Sequence, residues 1–401
     1  MKKLTLALVL VASAALALTS CKQKLLVDDK LPWSERIARS EMIRNPDPSR
    51  LDFVDSKKWN YTNGLVCEAF MGLYDRTGND TYFNYAKSYA DTLIDANGQV
   101  YGYRLSNYNL DHVKPGKFLF ALYDKTQDPR YKTVLDTLRS QLRSQPRTTQ
   151  GGFWHKQIYP MQMWLDGVYM GDPLYAEYIR RWGDPSEFDD VFTQFFVIAE
   201  RTYDPKNGLY RHAFDDSPAG RKMDWADPVT GQSEHVWGRG LGWYYMAVVD
   251  VLDYIPEDQP KRDSLIRLFN KITDVLVREQ DPETGGWWQV MDLPGEYGNY
   301  IETTGTSMFA YGMLKGVRKG YLAQSYLTPA MKAYNGLLEK FVTVDEQGLV
   351  SLTKCCAGAG LGGNPYRDGT FNYYINTTVR DNDAKGIGPL IMAALEVEAL
   401  P

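Results

Sequence analysis

The sequence predicts an all-α fold, a closed toroid of about six helical hairpins with short β-ribbons at its loop end. Two observations predict it. Helical stretches with apolar residues recurring at three and four positions end in a polar turn, a glycine and an extended apolar residue. The turn glycines Gly98, Gly152, Gly208, Gly286 and Gly348 stand more than fifty residues apart. One helix and its turn use only about 20 residues, so each unit must hold two helices. The second observation concerns closure. The residues able to do chemistry fall in the loops, and neither end of the chain carries the polar face of a capping repeat, which favours a ring over an open solenoid.

The chain of 401 residues starts with Lys2 and Lys3, an apolar run from Leu4 to Leu18, then Thr19, Ser20 and Cys21. A basic start, a short apolar run and small residues after it read as a secretory signal over 1–20, and the run is short for a transmembrane helix. Leu18-Thr19-Ser20-Cys21 resembles a bacterial lipobox with Cys21 as the lipidated first residue; ordinary cleavage beside an incidental cysteine is the alternative. The expected location is the bacterial cell envelope, with the membrane as a partner through a lipid anchor at Cys21. Residues 21–55 are polar, contain Pro32, Pro46 and Pro48, and read as a linker with one short helix over Trp33–Arg44. A single domain is expected over 56–401. Its clearest helices are Asp80–Asp95, Pro129–Arg143, Phe188–Tyr203, Gln259–Gln280 and Thr328–Val342.

Composition narrows the function. Net charge is −5, which argues against nucleic acid as the main partner because phosphate binding wants a basic face. Mean hydropathy is negative, which excludes a multi-span membrane protein. Ten Trp, 28 Tyr and 15 Phe suit the apolar faces of sugar rings, and equally a large core between helices. Cys67, Cys355 and Cys356 form neither a disulfide framework nor CxxC spacing and read as small buried residues. Four histidines without His-Glu-x-x-His spacing, and no Gly-x-Ser-x-Gly elbow, leave metal and serine chemistry without a motif. No cofactor is expected.

Three segments concentrate reactive side chains. Asp166 lies in Met163-Trp164-Leu165-Asp166-Gly167-Val168-Tyr169-Met170, among apolar neighbours that would raise a carboxyl pKa toward that of a general acid. A helix cap or a buried Asp bonded to backbone is the alternative. Asp111 stands about one repeat earlier, where equivalent loop positions of a toroid face one cavity. Two carboxyls sharing a site raise one another's pKa and leave one protonated, the usual equipment for acid–base work on sugars; a cap before His112 and Lys114 is again possible. In Trp237-Gly238-Arg239-Gly240-Leu241-Gly242-Trp243 the glycines permit close approach, Arg239 offers a fixed fork for a carboxylate, and the indoles could stack on a sugar. Close helix packing around a salt-bridged Arg239 is the alternative. The glycine-rich stretch Cys355–Pro365 reads either as a rim over a cavity or as a long connection.

With these motifs and Ala359-Gly360-Leu361-Gly362-Gly363, the chain resembles glycoside hydrolase family 105, the unsaturated rhamnogalacturonyl hydrolases, and the related unsaturated glucuronyl hydrolases. The likeness runs from Trp59 to Pro389. It implies an (α/α)6 barrel acting on small unsaturated oligosaccharides, which release a non-reducing-end 4,5-unsaturated uronic acid after hydration of the C4=C5 bond. It implies that Asp166 is the acid and base and that Asp111 is the second aspartate, binding the sugar and setting the state of Asp166. It further implies a substrate pocket of Tyr61, His155, Lys156, Met170, His212, Trp237, Arg239 and Trp243. Asp172, followed by Pro173, departs from the pattern, where a small residue is expected. Two other readings remain at this stage: a non-catalytic carbohydrate-binding lipoprotein, and a conventional inverting glycosidase with Asp111 as base.

Overall fold

The computed structural model describes residues 25–400, so the signal segment and Cys21 lie outside the described residues. Thirteen α-helices are present among them, with three small antiparallel ribbons. Six helices form an inner ring: α2 (Tyr61–Thr77), α4 (Leu119–Thr126), α6 (Leu165–Trp182), α8 (Gly238–Val251), α10 (Thr303–Arg318) and α13 (Ala384–Glu398). Each has an outer partner. These are α3 (Asp80–Leu93), α5 (Pro129–Ser144), α7 (Phe188–Thr202), α9 (Arg262–Arg278), α11 (Leu327–Lys340) and, against α13, α1 (Trp33–Arg44). The single turn α12 (Phe371–Ile375) lies in the long connection before α13. The ring closes where α13 packs on α2.

The two rings differ in sequence for a physical reason. Every residue of α8 is buried, and all but the last of α10, because an inner helix is covered on all sides. The outer α9 buries only Leu265, Phe269, Ile272, Thr273, Val275 and Leu276. Inner helices also approach closely: a Cβ at Gly242 of α8 would lie 2.9 Å from the Met308 sulfur on α10. The five helices expected from periodicity are α3, α5, α7, α9 and α11, all outer ones, each matched to within a few residues.

One expectation changes. The helix expected inside the 21–55 linker is present, but it is built into the barrel. The outer partner of α13 comes from the N-terminal segment, where α1 packs along it. Ile37 and Ala38 are buried, Ser34 bonds through its amide and hydroxyl to Glu398, and Arg44 donates to the Val350 carbonyl at 2.6 Å.

The ribbons pair β1 (Gln162–Trp164) with β2 (Ala213–Asp215), β3 (Val342–Val344) with β4 (Val350–Leu352), and β5 (Cys355–Cys356) with β6 (Val379–Arg380). All lie in connections running from an outer helix to the next inner one. That end of the barrel therefore gathers the ribbons and the N-termini of the inner helices, and it carries the reactive side chains. Cys67, Cys355 and Cys356 are buried free thiols, as expected.

Candidate active site

Asp166 occupies the first turn of α6. The β1–β2 register sets Trp164 opposite Ala213, and the Leu165 amide donates to the His212 carbonyl at 3.0 Å. This ribbon delivers His212 Nε2 to 3.3 Å from Asp166 Oδ2. Both of those atoms are buried and neither makes a hydrogen bond, which leaves Oδ1 as the oxygen open to solvent; 13% of the Asp166 side chain is exposed. The other nitrogen of His212, Nδ1, lies 2.8 Å from the Tyr374 hydroxyl.

Asp111 sits in the 3-10 turn Leu110–His112, its amide bonded to the Asn109 side chain. The neighbouring loop is tied in place, because Leu110 donates to the His155 carbonyl and His155 to that of Gln162. Asp111 Oδ2 pairs with Lys156 at 2.5 Å and Oδ1 lies 3.4 Å from His155 Nε2. Burial alone would raise this carboxyl, but Lys156 and then His155 outweigh it, and its pKa falls below the ordinary value. Burial pushes the His155 imidazole down to about 4 against the pull of Asp111, so it is neutral at pH 7. Of the two aspartates expected to share a proton, Asp111 is therefore an ionised one, held by a cation.

Aromatic rings wall the space between. Trp164 stacks on His155 at 4.6 Å and meets His212 edge-on at 5.4 Å. Tyr159 covers the outer face of Trp164 at 5.0 Å and accepts from Arg367. Across the cavity, Trp237 lies 4.7 Å from His212 and its indole N–H donates to Gln289. Trp243 stacks on Tyr169 at 5.0 Å, and Tyr61 meets Trp243 edge-on. Below them the ring is filled by charge: Lys114 lies over Tyr169 and pairs with Glu68, and Lys117 pairs with Glu177 at 2.6 Å.

Arg239, in the first turn of α8, is 1% exposed and lies 4.8 Å over Trp237. Its Nη1 donates to the Cys356 carbonyl and its Nε has no partner. Among the described residues no carboxylate lies within ion-pairing distance of it, so the salt-bridged alternative does not hold. Tyr61, whose hydroxyl burial drives far up, feels the charges of both Arg239 and Asp111, and His155 feels both aspartates. Tyr61, Asp111, His155, Lys156, Asp166, His212, Trp237, Arg239 and Trp243 thus lie in one connected cluster at the ribbon end of the barrel. Met170 lies one turn beyond Asp166 on α6, buried.

Asp172 does not reach that cluster. It is buried on the far side of α6 among Leu110, Phe153, Met163 and Gln194, with neither oxygen bonded. Burial, reinforced by Asp190, pushes its pKa well above the ordinary value. The glycine-rich stretch packs onto the site wall: Leu361 joins Trp164, Ala213 and Trp225, and Gly358 lies beside Arg239. Sequence reasoning missed Tyr374, Gln289 and Arg367. Tyr374 lies 162 residues from His212, and no local pattern signals such a contact.

A family model described as Glycosyl Hydrolase Family 88 matches residues 33–400, from the start of α1 to the end of the barrel. A solved structure of a family 105 glycoside hydrolase from C. acetobutylicum is 39% identical, with a TM-score of 0.88, covering 92% of this chain and 100% of that one. An unsaturated 3S-rhamnoglycuronyl hydrolase from an Alteromonas species is 26% identical over 183 residues, 45% of this chain and 42% of that protein. The unsaturated glucuronyl hydrolase of a Bacillus species shares the fold at 14% identity, with a TM-score of 0.66 over 91% of this chain and 95% of that one. The chain thus belongs to glycosyl hydrolase family 88, alongside family 105 relatives, and is a glycoside hydrolase.

Proposed function

We propose that this hydrolase removes a 4,5-unsaturated uronic acid, galacturonyl first and glucuronyl second, from the non-reducing end of lyase-generated oligosaccharides. The observation that carries the reading is Arg239: a buried guanidinium with no carboxylate in ion-pairing contact, lying over Trp237 in the same aromatic cluster as His212 and Asp166. A flat uronate ring fits against such aromatic faces, and its carboxylate supplies the missing counter-charge.

In this reading the cleavage proceeds by hydration. Asp166 Oδ1 gives its proton to C4, water adds at C5, and the water's proton returns to the Asp166 carboxylate. The C5 hemiketal then loses its bond to the ring oxygen, leaving a C5 ketone and a C1 hemiacetal that expels the neighbouring sugar. One carboxyl does both transfers. A conventional inverting glycosidase needs a second carboxylate free to activate water, whereas Asp111 faces Lys156 and His155 with its two oxygens. Asp111 with Lys156 instead binds sugar hydroxyls.

Replacing the glycosidic oxygen by sulfur separates the two mechanisms, because it weakens the base a conventional glycosidase must protonate and leaves C4=C5 untouched. The unsaturated sulfur-linked disaccharide should be cleaved, and the saturated oxygen-linked one should not. Cleavage of only the saturated disaccharide would overturn the proposal. The same reading makes the protein a cell-envelope lipoprotein anchored at Cys21, supported by the lipobox-like Leu18-Thr19-Ser20-Cys21. Labelled palmitate should enter the parent and not Cys21→Ala; equal labelling of both would refute the anchor.

A further inference from the structure

We propose that Tyr374 is a positioning residue that fixes the tautomer of His212, so that Nε2–H faces Asp166; its consequence for turnover rests on the reading of Asp166 given above. Tyr374 and His212 are both fully buried. Among the described hydrogen bonds, His212 Nδ1, at 2.8 Å, is the acceptor within reach of the Tyr374 hydroxyl. A buried hydroxyl donates where an acceptor exists, and burial holds this phenol in its protonated form. Once Nδ1 accepts, the hydrogen of the neutral imidazole sits on Nε2. That nitrogen is 3.3 Å from Asp166 Oδ2, and both atoms are buried with no hydrogen bond made. The tautomer set by Tyr374 lets each satisfy the other.

The consequence is a division of labour within one carboxyl group. Oδ2 faces a donor throughout, and Oδ1 handles the protons. When Oδ1 protonates C4, the new negative charge spreads onto an oxygen that faces the Nε2–H dipole at 3.3 Å. His212 keeps its own proton in both steps. The surroundings hold this arrangement. Tyr374 stacks on Trp237 at 6.2 Å, and one glutamine fixes both residues: Gln289 accepts from the Trp237 indole and donates to the Tyr374 carbonyl. Trp237 and Trp164 in turn flank the His212 ring.

Long-range proton–nitrogen correlation spectra of histidine-labelled protein read imidazole tautomers directly. The chain has four histidines, so His212→Gln assigns the signal. The parent should show His212 as the Nε2–H form, and Tyr374→Phe should lose that preference. On an unsaturated uronyl disaccharide, Tyr374→Phe should lower kcat about 10–100-fold with KM within about threefold. An Nδ1–H form in the parent, or an unchanged kcat in Tyr374→Phe, would overturn the assignment. The spectrum needs no substrate and no variant of Tyr374. Absence of turnover in the parent is therefore a result against the proposed reaction, while the tautomer is decided separately.

Discussion

Arg239 carries a permanent charge at 1% exposure, with a single carbonyl as its described hydrogen-bond partner. A buried cation in that state is costly unless a ligand completes its shell. Arg239→Gln removes the charge and the fork while retaining some packing against Trp237. The expected result is a KM raised about 10–100-fold, the worth of a charge-assisted hydrogen bond, with kcat changing less. Steady-state kinetics on a uronyl disaccharide checks it, and an unaltered KM would remove Arg239 from substrate binding. At this scale the sequence is informative where a residue sits in a dense local motif: Asp166, Asp111 and Arg239 all stand out this way. Tyr374 and Gln289 could not be found, because they reach the site only through the fold. Spacing also says nothing of the charge on Asp111. That follows from Lys156 lying against Asp111, a side-chain contact settled by the loop's path.

At the scale of elements, α6 carries two acids with opposite surroundings: Asp166 opens into the cavity, and Asp172 is sealed behind it. Asp172 is held protonated in the fold but ionises at its ordinary value in the unfolded chain. Its folded pKa is the higher one, so the unfolded state releases its proton first, and Asp172 costs stability increasingly as pH rises above about 4. Asp172→Asn removes that cost while keeping the shape. Its melting temperature, relative to the parent, should climb between about pH 4 and pH 8; a difference that stays flat with pH would show Asp172 to be ionised in the fold. The outer helices were legible in the sequence because one face of each is wet. The inner helices were not: α8 and α10 are buried all round and lose the periodicity that marks a helix. The β1–β2 ribbon, three residues a strand, could be expected as a ribbon at the loop end but not in register, and it is this register that brings His212 to Asp166.

For the whole molecule, the sixth hairpin depends on α1, the outer partner of α13, contributed by the segment the sequence marks as a linker. The helix itself was expected over the same residues, but the proline content and polar residues of the segment obscured that it buries Ile37 and Ala38 against the barrel. A chain beginning at residue 56 should lose cooperative unfolding, or melt well below a chain beginning at Leu25, because α13 and α2 would then face water where α1 now sits. Calorimetry of the two chains tests this, and equal melting temperatures would return α1 to the status of a linker. The family and the six-hairpin plan were legible from motifs and glycine spacing together.

The central claim is that one carboxyl, Asp166, hydrates a C4=C5 bond, and ultraviolet absorbance tests it most directly. The substrate is an unsaturated uronyl disaccharide made by a pectin lyase, with the protein from residue 22 onward. The chromophore should disappear with the parent, and Asp166→Asn should be slower by about 10³-fold or more while folding normally, since the amide cannot carry the proton. Persistence of the absorbance with the parent on both galacturonate- and glucuronate-derived disaccharides, or loss of it at an undiminished rate with Asp166→Asn, would contradict the account.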